Sequence, residues 1–286
     1  MSKADAPKAL EEFTEGYNTA YRTSNPAALA KVETGPLQAM NQPGVKAQRK
    51  NRPAGYPDYP ELELTDAKFT IPKQAGWPKF FLADADSNRD DNRWLLLFVR
   101  DGAKEPWKAA YLSILSPDEV PEFKTDEEGW ARPVARGTAQ GLAMAPGRLS
   151  TAYARYLKAG KGKKFAEGQA TTGQIDTRDK LRRTARFWTE YIDQPAKPPQ
   201  YAPVALRLAD GGALAFFAAH HAEKRTMAEG FRVGQIDDGT ASALMTGKPR
   251  KWVSLSRISE SAVRIPPQGP VVFLNRLEGV TAAKGG

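Results

Sequence analysis

Residues Phe81–Val99 read FLADADSNRDDNRWLLLFV. An apolar run, a cluster of turn-forming residues and a second apolar run predict two strands joined as a hairpin. The first strand spans Trp77–Ala85, the turn Asp86–Asn92 and the second strand Trp94–Arg100. Working upstream, Leu62, Leu64, Ala67, Phe69 and Ile71 alternate, with a slip near Asp66 that predicts a bulge. Working downstream, Asp101-Gly102 makes a turn, and Trp107, Ala109, Tyr111, Ser113 and Leu115 alternate as a fourth strand. Four strands at hairpin spacing predict one antiparallel sheet.

Helices precede that sheet. Leu10, Phe13, Tyr17 and Tyr21 recur at a 3–4 spacing and make one helical face from Pro7 to Tyr21. Asn25 and Pro26 open a second helix through Leu29 and Val32 to Met40, which Gln42-Pro43-Gly44 ends. Residues 43–60 then read as a long, proline-rich loop. The same order returns in the second half. Leu149, Tyr153, Tyr156 and Leu157 share a helical face, followed by a Lys- and Gly-rich loop at Lys158–Lys164. Asp176–Asp193 reads as a further helix with Leu181, Ala185, Trp188 and Ile192 as its buried stripe. Strands follow at Ala202–Leu208, Ala213–Glu223, Trp252–Ile265 and Val271–Val280. The expected fold class is α+β: two consecutive modules, each with N-terminal helices on a curled antiparallel sheet. Residues 1–125 form the first module, 126–141 a linker and 142–286 the second.

Composition narrows the chemistry. The 286 residues contain no cysteine, which excludes disulfides, thiolate metal sites and a cysteine nucleophile. No apolar run approaches the roughly 20 residues of a membrane-spanning helix. Residues 1–136 hold 19 Lys and Arg against 21 Asp and Glu, net −2; residues 137–286 hold 23 against 12, net +11. The basic second module therefore points to an anionic partner. Neither a G-x-S-x-G elbow nor a glycine-rich phosphate loop occurs. No nucleic-acid-binding motif is legible, which makes nucleic acid a poor candidate for that partner.

Helices followed by a curled antiparallel sheet resemble the cystatin-like and nuclear-transport-factor-2-like (NTF2-like) superfamily, here in tandem. More specifically, ALEEFTEGYNTAYRTSNPA (Ala9–Ala27), LELTDAKFTIPKQAGWP (Leu62–Pro78), FLADADSNRDDNRWLLLFV, ALAFFAAHHAEKRT (Ala213–Thr226) and VVFLNRLEGVTAAKG (Val271–Gly285) resemble a family of uncharacterised lipoproteins of Streptomyces and related actinobacteria. That resemblance spans nearly the whole chain. It implies an extracellular, membrane-anchored lipoprotein of the cell envelope, whose signal and anchor cysteine lie outside this sequence. It supplies no catalytic residues.

Each candidate site has a plainer alternative. Asp84, Asp86, Asn88 and Asp90 have the rhythm of a calcium loop, yet Arg89 and Leu95 stand where an EF-hand needs Gly and Glu. A polar hairpin turn is the alternative. Lys161, Lys163 and Lys164, with Arg178, Arg182, Arg183 and Arg186, form the densest basic region. Arg178, Arg182 and Arg186 fall at i, i+4 and i+8, a stripe able to meet phosphates or only water. Trp77, Trp94 and Trp107 are candidates to line a pocket or to fill a core. His220 and His221 are the only histidines, and strand alternation sends them to opposite faces. No cofactor is implied. The leading expectation is a non-enzymatic binding or scaffold ectodomain that meets a protein or an anionic lipid or cell-wall polymer. The alternative is a small-molecule binder or enzyme using an NTF2-like pocket.

Overall fold

Helix α1 (Asp5–Arg22) buries Ala6, Ala9, Leu10 and Phe13 along one face. Asn25 caps α2 (Pro26–Val32), its side chain accepting the Ala27 N–H at 3.0 Å. Glu33 and Thr34 then run beside Ala109, and α3 (Gly35–Asn51) comes next. The expected stop at Pro43 is thus corrected, along with half of the expected loop. Pro43 lies inside α3, where a proline costs about 3 kcal/mol. Tertiary contacts on both sides carry the helix through it. Leu37 before it and Val45 and Ala47 after it are buried. The Gln48 amide donates to the Tyr21 carbonyl at 2.6 Å, and Lys50 Nζ to that of Ala243 at 2.9 Å. The structure, a computed structural model, describes residues 3–286.

The first sheet is the expected meander. Strands β1 (Leu64–Thr70), β2 (Lys79–Ser87), β3 (Arg93–Arg100) and β4 (Lys108–Leu115) pair antiparallel in that order. The register of β1 slips between Thr65 and Lys68, with Asp66 at φ +45°, so the bulge sits where the alternation breaks.

In the second half, α4 (Leu149–Ala159) forms as read, whereas the next helix does not extend to Asp193. Helix α5 (Thr172–Arg182) ends early. The Thr184 hydroxyl accepts the N–H groups of Arg186 and Phe187, turning the chain into strand β5 (Phe187–Pro195). The alternation of FWTEYIDQP explains the error: Phe187, Thr189, Tyr191 and Asp193 point inward, while Trp188, Glu190 and Ile192 are exposed. The helical stripe through Trp188 and Ile192 is a coincidence of two periods, and Ile192 is 57% exposed. Strands β6 (Val204–Arg207), β7 (Ala213–Met227), β9 (Trp252–Ile265) and β10 (Val272–Gly285) complete most of the second sheet. Its order is β5-β7-β9-β10 with one more short strand beyond β10, and β6 also pairs with β7. A short helix, α6 (Gly239–Leu244), leads into β8 (Met245–Gly247), which runs parallel to β10.

The result is an α+β chain of four layers. Helix α1 packs on one face of the first sheet through Phe13, Phe81 and Phe98. The other face meets the second sheet, where Leu82, Leu95, Leu97 and Tyr111 share a core with Leu214, Phe216, Ile258 and Ala262. Helix α4 covers the far side through Tyr153, Phe165 and Phe217. Helix α3 bridges the layers, touching β4, β9 and β10. A Cβ on Gly279 would collide with the Met40 side chain, so this glycine permits the close approach of α3 to β10. The segment after β4 is stitched to both sheets. The N–H of Ala131 donates to Ile71, that of Val134 to Ala205 and that of Arg207 to Arg132.

Candidate functional site

Helix α4 turns Leu149, Tyr153, Tyr156 and Leu157 inward and leaves Arg155 outside. The Ser150 hydroxyl donates to the Ala218 carbonyl at 2.6 Å and accepts the Ala196 N–H at 2.9 Å, fixing the helix on its sheet. Gly160, left-handed at φ +67°, ends α4, and the Lys-rich loop returns to pair Val271 N–H with the Lys164 carbonyl. Between helix, loop and the strap around Arg136 opens a groove of about 1340 Å³. Arg136, Arg148, Arg155, Lys161, Lys163 and Lys164 line it, and no Asp or Glu does. All six are exposed. Among the described residues none of the six is in an ion pair.

The expected basic stripe does not form on α5. Arg178 turns inward and makes two bonds to Asp193, at 2.7 and 2.9 Å. Arg182 pairs with Asp179 at 3.5 Å. Arg186 lies past the end of the helix, over the Phe231 ring. Arg183 is exposed and bridges Trp188 across the turn. Lys161, Lys163 and Lys164 are therefore brought together with three arginines distant in sequence, and not with the α5 cations.

Arg178 belongs to a buried array that sequence reading missed. Asp193 Oδ1 lies 2.6 Å from His221 Nδ1, and His221 Nε2 lies 2.8 Å from Ser259 Oγ. Burial disfavours the His221 cation and lowers its pKa, with the Asp193 bond opposing. Burial alone would raise Asp193, but the bonds from His221 and Arg178 outweigh it and hold the carboxyl below the usual range. His221 is thus neutral at pH 7, with Nδ1–H donating to Asp193 and the Ser259 hydroxyl donating to Nε2. The order Ser–His–Asp is that of a hydrolase triad. Access is what it lacks: Ser259 has no exposed surface, and neither Ser259 nor His221 lines the groove or the second cavity, a cleft beside Trp77. The array ties α5, β5, β7 and β9 together. His220, on the opposite face, lies half-buried against Tyr201 at 5.1 Å.

The acidic turn is occupied by an arginine. Arg93 Nε meets Asp84 at 2.7 Å, and Nη1 meets Asp86 at 2.7 Å and Asp66 at 3.0 Å. The Asn88 side chain instead fastens the start of β1, accepting Glu63 N–H and donating to the Glu61 carbonyl. Asp90 accepts from Asn92 and from the Trp94 indole. The calcium alternative is corrected accordingly, because its four residues take separate partners: Asp84 and Asp86 share Arg93, Asn88 fastens β1, and Asp90 turns to Asn92 and Trp94. Among the described residues no group of three His, Asp or Glu is placed to hold a metal ion.

The tryptophans divide. Trp94 and Trp107 are packed in the core beneath α1. Trp77, 43% exposed, borders the cleft, a space of about 690 Å³ between the ends of the two sheets. Two further buried groups escaped the sequence reading. Glu33 accepts from Asn41 at 2.9 Å and Glu260 from the Leu112 N–H at 3.3 Å, and each keeps one carboxylate oxygen without a partner. Burial pushes Glu33 up to about 8 and raises Glu260 well above its usual value.

Residues 1–285 match the family described as a domain of unknown function, DUF8094. The chain belongs to this family. An uncharacterised lipoprotein of Streptomyces avermitilis is 43% identical to it over 287 residues, covering 99% of this chain and 86% of that one. A second, from Streptomyces coelicolor, is 43% identical over 285 residues with the same coverage. A third, also from Streptomyces coelicolor, is 26% identical over 299 residues, covering 99% and 81%. No solved structure matches the chain. The resemblance to Streptomyces lipoproteins read from the sequence is thereby borne out, and no helix among the described residues is long and apolar enough to cross a membrane.

Proposed function

We propose that this DUF8094 protein is a non-enzymatic binding ectodomain of the cell envelope, which takes an anionic envelope component in the groove beside α4. The observation that carries this reading is the lining of that groove: six exposed cations and no carboxylate. Like charges gathered without counter-charges repel one another, and an anionic ligand relieves that repulsion. The relatives' naming as lipoproteins supports placement at the membrane. The tandem NTF2-like reading stays part of the proposal, but its pocket does not. The spaces between helices and sheets are filled by Phe13, Phe81 and Phe98 on one side and by Tyr153, Phe165 and Phe217 on the other.

The test is binding of the purified protein to polyphosphate and to phosphatidylglycerol vesicles at several salt concentrations. The expected result is salt-sensitive binding that K161E/K163E/K164E weakens at least tenfold, while R182E/R183E leaves it unchanged. Equal loss in both variants would mean that net charge alone is responsible.

A further inference from the structure

The basic groove does not end at its charges. Arg136 and Pro203 line both it and the cleft that Trp77 borders, and the segment from Pro198 to Pro203 walls both. The two cavities are neighbours with different linings. Trp77, Phe80, Val99 and Val204 turn apolar surface into the cleft, which opens at the ends of the two sheets. The Tyr111 hydroxyl is already satisfied by the Ala202 carbonyl at 3.1 Å, so it asks nothing of a ligand. Charged and polar side chains such as Lys79, Asp101 and Arg136 stand among the same lining residues. A cleft of this size and lining is of the kind that takes an apolar ligand group, with polar groups fixing its orientation.

We propose that groove and cleft are two halves of one site for an amphipathic anion. A phosphate- or carboxylate-bearing head sits among the six cations, and an apolar chain lies in the cleft at the ends of the sheets. Arg136 stands at the join. This rests on the anion-binding reading of the groove and narrows it, choosing a lipid-like ligand over a polymer. A polyanion would use the cations but would leave an apolar cleft unfilled beside them. Burial of the chain makes affinity depend on its length, whereas a purely ionic site ignores it.

The experiment uses the full chain and a series of probes below their aggregation limits: inorganic phosphate, octyl phosphate, decyl phosphate and dodecyl phosphate, with polyphosphate alongside. Calorimetry is expected to show affinity rising about fourfold per added methylene. Ala135→Trp places a bulky group at an exposed position of the cleft lining, away from the core. It is expected to abolish the dependence on chain length while leaving phosphate binding in place, with folding checked by thermal melting. Should Ala135→Trp unfold the chain, Gly76→Trp blocks the same cleft from a second exposed lining position, where an added Cβ meets nothing within 4 Å. K161E/K163E/K164E is expected to weaken every probe. Equal affinity along the alkyl series, or polyphosphate binding tighter than dodecyl phosphate, overturns the amphiphile and leaves an anion groove. Binding that ignores the charge reversal overturns the groove reading itself.

Discussion

Glu33 shows how much a single residue's position matters. Nothing in its local sequence marks it, for a glutamate between two helices reads as a surface charge. The structure buries it beside Ala109 with one carboxylate oxygen unpartnered, and its pKa rises to about 8. An unfolded glutamate titrates near about 4.3. Between those values the unfolded chain has released the proton and the folded chain has kept it. The unfolded state then binds fewer protons, so stability falls as pH rises from about 4.5 to about 8. Glu33→Gln removes that slope, and at pH 8 it is expected to stabilise the chain by about 1–2 kcal/mol. Urea melts across pH 5–8 check this; an unchanged slope in the variant would assign it to another group, with Glu260 the next to replace. Arg93 makes the same point about legibility. The Asp84–Asp90 rhythm was visible in the sequence, but the partners that its members take were not. Arg93 lies opposite Asp86 across the hairpin, and Asp66 arrives from a third strand through its bulge.

At the scale of elements, the strands of the first sheet and helices α1 and α4 were legible because one period dominates each, whereas the single helix expected from Asn25 to Met40 breaks at Glu33–Thr34 into α2 and α3. The stretch from Thr172 to Pro195 was not, because helical and strand periods coincide at Trp188 and Ile192. The sheet context settles it: β5 pairs along its whole length with β7 and brings Asp193 opposite His221. That register is a long-range fact, and so the array through Ser259 could not be read from spacing. It has a measurable signature. Burial holds His221 below its usual pKa, so below pH about 6.5 the unfolded chain takes up a proton that the folded chain refuses. Stability contributed by neutral His221 is therefore lost as pH falls below that value. His221→Gln is expected to flatten the acid side of the stability profile between pH 6.5 and 5. Asp193→Asn is expected to cost about 3–5 kcal/mol, since it leaves Arg178 buried without its counter-charge. Chemical denaturation of both variants decides the matter, and a loss under 1 kcal/mol for Asp193→Asn would show the pair to be dispensable.

For the whole molecule, an α+β chain with two sheets was correctly expected, while their mutual packing was not. Inward and outward residues on a strand can be told apart by alternation, but alternation does not say what covers the second face. In the first sheet that cover is the second sheet. Separating the halves would expose Leu214, Phe216 and Ile258 on one and Leu82, Leu95 and Leu97 on the other, each large side chain worth about 1.5–3 kcal/mol of lost burial. The chain is expected to melt in one cooperative transition by calorimetry. Residues 142–286 expressed alone are expected to give no cooperative melt. Two separable transitions in the full chain would show that the shared core contributes little.

The strap that carries Arg136 has a consequence for how selectivity and strength are distributed. It is sewn to the first sheet at Ile71 and to the second at Ala205. The cations of the groove attract any anion, at long range and with little regard to shape. In the proposed site, the cleft beyond Arg136 sorts anions by the apolar tail attached to the charge. Capture and discrimination, as proposed, share Arg136 and the segment from Pro198 to Pro203 and are otherwise lined by different residues, so most of one lining is free to change while the other stays as it is.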